Sequence, residues 1–127
     1  MSQLLLDTHA AMWFCTEAND LGRRADSAIR GANVVKFSAI TPWELSVKRS
    51  SGKLRFDVDL VGSLIAAGFE ELPISARHGE RAGSLPLHHR DPFDRMLIAQ
   101  AQMERLTIVT ADRVFSEYDV DVLDAEL

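Results

Sequence analysis

Residues 34–52, VVKFSAITPWELSVKRSSG, decide the architecture. Val34–Ser38 is rich in β-formers and follows Gly31 and Asn33, so a strand is expected there. Thr41-Pro42-Trp43-Glu44 then has the form of a helix start, with Thr at the N-cap, Pro at the first helical position and Glu at the third. That helix is predicted to run to about Ser51 and stop at Gly52. On the N-terminal side, Leu4-Leu5-Leu6 is an apolar run ending at Asp7 that alone fits strand or helix. Residues 8–16 continue uncharged as a helix. A second helix is expected over 21–29, with Leu21, Ala25, Ala28 and Ile29 on one face. On the C-terminal side, helices are expected over 58–67 and 75–83 and a short strand over 70–74. Asp91-Pro92-Phe93-Asp94 repeats the helix-start pattern, and its helix extends to about Glu104. Thr107–Thr110 and 120–123 are the last strands, with Asp112 opening a turn or short helix between them. Strands alternating with helices predict an α/β fold, a mostly parallel sheet with helices on both faces.

Composition agrees with one domain spanning residues 1–127. Hydrophobic residues make up 46% and charged residues 26%, enough apolar material for a sizeable core. The single cysteine, Cys15, excludes an internal disulfide framework and a multi-cysteine zinc site. It reads as a buried small residue, not a nucleophile. No uncharged apolar run approaches the ~18 residues of a spanning helix. Asp7 arrives with no preceding basic segment, so no signal peptide is expected. The expected setting is soluble and cytoplasmic.

The net charge of −5 argues against a broad basic surface for nucleic acid. It is unevenly spread. Residues 1–55 carry eight basic and five acidic groups, a net +3, whereas residues 56–127 carry six and fourteen, a net −8. Lys48, Arg49, Lys53 and Arg55 form a basic segment. If acids hold metal, the balance shifts: two divalent cations would take −5 to −1.

In parallel α/β sheets the reactive groups gather beyond the carboxyl ends of the strands. Asp7 follows the first strand, Asp112 lies just past the 107–110 strand, and Glu44 and Asp94 sit in the first turns of two helices. Converging carboxylates repel one another. A hard divalent cation such as Mg2+ or Mn2+ relieves that repulsion and can activate water against a phosphodiester. Each acid also has a structural reading. Glu44 could complete a capping box with Thr41, Asp94 could favour a helix N-terminus, and Asp112 could cap a turn. Asp7 is the hardest to explain as structure, because a carboxylate directly after Leu-Leu-Leu risks burial.

Four segments, LLLDTHAAMW (4–13), SAITPWELSVKRSSGKL (38–54), LPLHHRDPFDRMLIAQA (85–101) and TIVTADRVFSEYDV (107–120), resemble in order those of the PIN-domain ribonucleases, and within them the VapC-type toxins of toxin–antitoxin pairs. The resemblance implies a metal site of Asp7, Glu44, Asp94 and Asp112, Mg2+ or Mn2+ dependence, and endoribonuclease activity leaving 5′-phosphate and 3′-hydroxyl ends. It also implies neutralisation by a cognate VapB-type antitoxin, and a homodimer. It favours Asp94 over Asp91 as ligand, leaving Asp91 as the helix N-cap before Pro92. An antitoxin could insert an Arg among the four carboxylates in place of the metal.

Other residues have two readings. His9, His88 and His89 could be ligands or general acids, although loop histidines are mostly neither. Arg90 and Arg95 flank the third acid, where they could hold phosphate or lie on a solvated surface. Thr8 and Thr110 could orient acids, and Trp13, Trp43 and Phe93 could stack on bases or belong to the core. Three rivals share the layout. A phosphotransfer receiver domain needs a lysine near its last strands, and no lysine follows Lys53. An aspartyl phosphatase wants Asp where His9 stands. A catalytically inert interaction module on the same fold is separated from an enzyme by EDTA-sensitive activity.

Overall fold

The computed structural model describes residues 3–53 and 58–127. Arg55, in the basic segment, lies outside the described residues. Five strands, β1 (Gln3–Leu6), β2 (Val34–Ser38), β3 (Glu70–Leu72), β4 (Thr107–Thr110) and β5 (Val122–Asp124), form one sheet in the order β3-β2-β1-β4-β5. Every neighbouring pair is parallel, with Leu4 opposite Val35 and Leu5 opposite Ile108. The helices are α1 (Thr8–Thr16), α2 (Arg23–Gly31), α3 (Ile40–Ser50), α4 (Leu60–Ala66), α5 (Ala76–Ser84) and α6 (Pro92–Glu104).

Central position explains the Leu4-Leu5-Leu6 run. β1 is flanked on both edges and covered on both faces from Leu4 to Leu6, so those side chains must all be apolar and alternation is lost. Leu4 and Leu6 point to one core with Val35, Phe37, Val109 and residues of α1, α2 and α4. Leu5 points to the other, with Ile108, Phe115 and Leu97, Ile98 and Ala101 of α6. The α/β class and the helices on both faces are as expected. α2 starts two residues later than the 21–29 pattern because Gly22 is its N-cap. Gly22 also packs against the C-terminus: a Cβ there would lie 2.0 Å from the Leu127 carbonyl carbon. β3 ends at Leu72, and β5 is displaced from 120–123 to Val122–Asp124.

The larger correction concerns α3. Thr41 is not its N-cap. The helix begins at Ile40, whose N–H donates to Ser38 Oγ at 3.1 Å. The N-cap is Ala39, which has no side-chain cap; Ser38 at the end of β2 takes only the Ile40 N–H, and Pro42 occupies a first-turn position where its missing N–H is harmless. Thr41 is then free to turn fully inward, and Glu44 falls beyond the reach of a capping box.

The loop between α5 and α6 is clamped from below. Arg95 is buried, with Nη1 donating to the carbonyls of Pro86 and His89 and Nη2 to those of Ala82 and Leu85, at 2.8–3.1 Å. Tyr118 Oη donates to the same Pro86 carbonyl and accepts the His89 N–H, both at 2.7 Å. Arg95 is therefore a strut of the fold, and its reading as a phosphate grip is set aside. Arg95→Met keeps the volume but orphans the carbonyls. Urea denaturation should show a loss of about 2–3 kcal/mol, the range for hydrogen bonds to a charged group. A loss below about 0.5 kcal/mol, typical of plain surface substitutions, would contradict the clamp.

Candidate active site

The carboxyl ends of β1 and β4 meet α3 and α6 at a pocket of about 450 Å3. Asp7, Glu44, Asp94 and Asp112 all line it, together with His9, Lys48, His89 and Asp91. The four acids predicted from sequence are thus brought together.

Their structural and chemical readings turn out to be compatible. Asp7 is the N-cap of α1: Oδ1 accepts the Ala10 N–H at 2.8 Å, and the Thr110 side chain hydrogen-bonds to the same carboxylate. Asp112 caps the short 3-10 turn Arg113–Glu117 through Oδ1, which accepts the Val114 N–H at 2.9 Å. Its Oδ2 remains directed at the pocket, 3.1 Å from His89 Nε2. Asp91 is the N-cap of α6, its Oδ1 accepting from the N–H groups of Phe93 and Asp94. Asp94, in the first turn, is left to face the pocket, with Oδ2 2.9 Å from His89 Nε2. Glu44 is almost fully buried. It accepts a short hydrogen bond from Thr8 Oγ1 on Oε1 and an ion pair from Lys48 Nζ at 2.7 Å on Oε2.

The threonines are crossed relative to the chain. Thr8 follows Asp7 but holds Glu44, whereas Thr110 holds Asp7. Of the basic segment, Lys48 lines the pocket. Its ammonium loses hydration through burial, but the Glu44 carboxylate, then Asp91 and Asp94, more than restore its charge. Arg90 and His88 are exposed and off the pocket wall, His88 packing edge-on to Tyr118. Trp43, against expectation for a core aromatic, is 61% exposed and meets Phe93 edge-to-face at 4.9 Å. Cys15 is half-buried, and burial pushes its thiol up, away from nucleophilic use.

His89 is the residue that sequence reading undervalued. With Asp94 and Asp112 it places three ligand-type atoms within 4.8 Å of one another. No helical or strand period marks a loop residue. The available signal was its position in a short segment tied down by the Asp91-Pro92 cap.

The electrostatics are those of crowded acids. Burial raises the Asp7 carboxyl above its ordinary range. Thr110, the Ala10 N–H and His9 oppose that rise, and Glu44 adds to it. Asp94 is pushed up to about 8, first by burial and then by the charges of Asp91, Glu44, Asp7 and Asp112.

The chain is thus a parallel α/β sheet with an acid-lined crevice beyond the carboxyl ends of its central strands. The chain belongs to the PIN domain family, whose sequence profile matches residues 4–121. It is 28% identical over 116 residues to Ribonuclease VapC22 of Mycobacterium tuberculosis, covering 89% of each chain. Its fold is similar to that of VapBC2 from Rickettsia felis bound to a promoter DNA fragment, with a TM-score of 0.69, 17% identity, and 95% and 97% of the two chains covered. It is also similar to a toxin–antitoxin complex from Klebsiella pneumoniae, with a TM-score of 0.66, 23% identity, and 96% and 97% covered. No helix among the described residues is long and apolar enough to cross a membrane.

The raised Asp94 pKa has a stability consequence. Between the ordinary value of 3.8 and about 8, the folded chain keeps a proton that the unfolded chain has released. This contribution favours the fold at low pH and is lost as pH rises through about 8. In cation-free buffer the denaturation midpoint should therefore fall across that window, and Asp94→Asn should flatten the decline. An equally steep decline in the Asn variant would contradict the assignment.

Proposed function

We propose that this chain is a divalent-cation-dependent endoribonuclease, the toxin of a toxin–antitoxin pair, acting as one domain in the cytoplasm. The observation that carries the reading is the convergence of Asp7, Glu44, Asp94 and Asp112 on one pocket at the carboxyl end of a parallel sheet. Membership of the PIN family and the likeness to a ribonuclease relative support it.

The donor set fits Mg2+ or Mn2+. It is dominated by carboxylate oxygens, which hard cations prefer. Asp94, held up to about 8 by burial and then by its acidic neighbours, is a carboxyl whose ionisation a cation would restore. Asp7, Asp94 and Asp112 would hold the ion. Glu44, with both oxygens engaged by Thr8 and Lys48, would act on the ion through water or through those partners. Bound there, the cation activates water and screens the charge of the scissile phosphate.

The chain's own residues do the rest. Lys48 keeps N–H donors beyond the one given to Glu44 and stands on the pocket wall, where it can meet a phosphate oxygen. Thr8 and Thr110 hold two of the acids in place, and the Asp91 cap sets the direction of Asp94. The partner would be a VapB-type antitoxin whose Arg pairs with the clustered carboxylates, on a toxin that is itself a homodimer.

The test is incubation of purified protein with total cellular RNA, in EDTA and then with Mn2+ or Mg2+ restored. Cleavage that depends on the cation supports the enzyme, and its absence from folded protein leaves an inert module. Asp7→Asn and Asp94→Asn should each cut activity by more than about 100-fold, the upper end of what loss of an outer-sphere partner costs. Asp91→Ala, by contrast, should cost roughly 1 kcal/mol of stability and keep much of the cleavage. The opposite pattern, read from cleavage rate and urea midpoint, would exchange the two roles.

A further inference from the structure

His89 reaches across the pocket mouth and joins two of the acids. Its Nε2 lies 2.9 Å from Asp94 Oδ2 and 3.1 Å from Asp112 Oδ2. The ring is held on its other sides. Nδ1 accepts the Asp91 N–H at 3.3 Å, and Phe115 packs edge-on at 5.9 Å between centroids. The backbone is held as well, since the His89 N–H donates to Tyr118 Oη and its carbonyl accepts from Arg95.

The Asp91 contact fixes the tautomer. A nitrogen that accepts a hydrogen bond has no proton, so in the neutral ring the proton is on Nε2. That N–H is what the two carboxylates share. For Nε2 to ligate a cation it would have to offer a lone pair, and the proton would move to Nδ1. Nδ1–H would then face the Asp91 N–H, donor against donor. The loop thus builds His89 as a hydrogen-bond donor at this point and opposes its use as a ligand.

We propose that His89 is a positioning residue that stands in for the cation, bridging Asp94 and Asp112 while the site is empty of metal and competing with the metal for their oxygens. This rests on the cation site proposed above. The bridge keeps two repelling carboxyls at a spacing a cation can use, and it must be broken or stretched when the ion enters. Affinity is thereby exchanged for a pocket formed in advance.

Competition and ligation predict opposite signs, so metal affinity decides between them. His89→Asn is the informative variant. The Asn side-chain oxygen can replace Nδ1 as acceptor for the Asp91 N–H, while nothing replaces the reach of Nε2. Mn2+ binding to the whole chain is followed by the electron spin resonance of free Mn2+, with calorimetry as a check and without RNA. His89→Asn should bind Mn2+ about three- to tenfold more tightly, the scale of one lost competing hydrogen bond. In EDTA the same variant should melt at a lower temperature than wild type. Unchanged or weaker Mn2+ affinity would overturn the proposal, and weaker affinity would make His89 a ligand. An unaltered melting temperature in EDTA would show that the bridge holds nothing together, and would overturn it as well. A wild-type chain that takes up no Mn2+ would sink the cation site itself, and with it the competition.

Discussion

The mutual repulsion of carboxylates gathered at one pocket is the constraint on which the rest of this structure turns. Acids at close range in a partly buried site cannot all ionise freely, and the elevation of Asp94 to about 8 expresses first its burial and then that conflict. The chain relieves it by giving the carboxylates separate tasks. Asp7 commits Oδ1 to capping α1, and Asp112 commits Oδ1 to its 3-10 turn. Glu44 is neutralised by Lys48 and held by Thr8. What stays in play is a small set of oxygens, notably the Oδ2 atoms of Asp94 and Asp112, which His89 gathers. The residual frustration is concentrated where a cation would remove it.

The sheet order explains why the acids meet there. From β1 the chain proceeds through β2 and β3 on one side, then returns to place β4 and β5 on the other. The strand order reverses at β1, and in parallel sheets the crevice beyond such a reversal is where ligands bind. Asp7 leaves β1 at that point, and its N–H donates to the Val109 carbonyl of β4. Thr110, at the end of β4, reaches back to Asp7. The short distance between β1 and β4 ends thus couples the first and fourth acids through backbone and side chain together. α3 and α6 each send an acid into this crevice and touch each other beside it, Trp43 against Phe93.

How much of this was legible depended on how local its cause was. Asp91-Pro92 announces a cap and a helix within four residues, and α6 starts where that pattern says. Val34–Ser38 and Thr107–Thr110 read directly as strands. Thr41-Pro42-Trp43-Glu44 looked equally local and misled, because the helix had already begun at Ile40, whose N–H is taken by Ser38 of the preceding strand. Sequence spacing cannot show which of two hydroxyls takes an N–H when a strand runs straight into a helix. The four acids were legible as candidates through their places after strands and at helix starts. The roles of His89, Arg95 and Tyr118 were not, since each depends on partners from other elements: Tyr118 is 32 residues from the Pro86 carbonyl it binds.

That long-range clamp also changes the meaning of the cations around the site. Arg95 sits next to Asp94 in sequence, yet its guanidinium turns away and spends its donors on carbonyls of the loop and of the last turn of α5. A guanidinium is suited to this task because it stays charged when buried and offers several donors in a fixed plane. Had it faced the pocket, it would have paired with the acids and filled the place of the metal. Burying it beneath the loop gives the opposite result: the loop is rigid, and His89 is held above the carboxylates with its proton on the side facing them. The resident groups facing the acids are therefore weaker or displaceable ones, an imidazole N–H and a lysine on a flexible stem. A site meant to exchange its own contacts for a cation requires such partners, and the placement of Arg95 as a strut leaves room for that exchange.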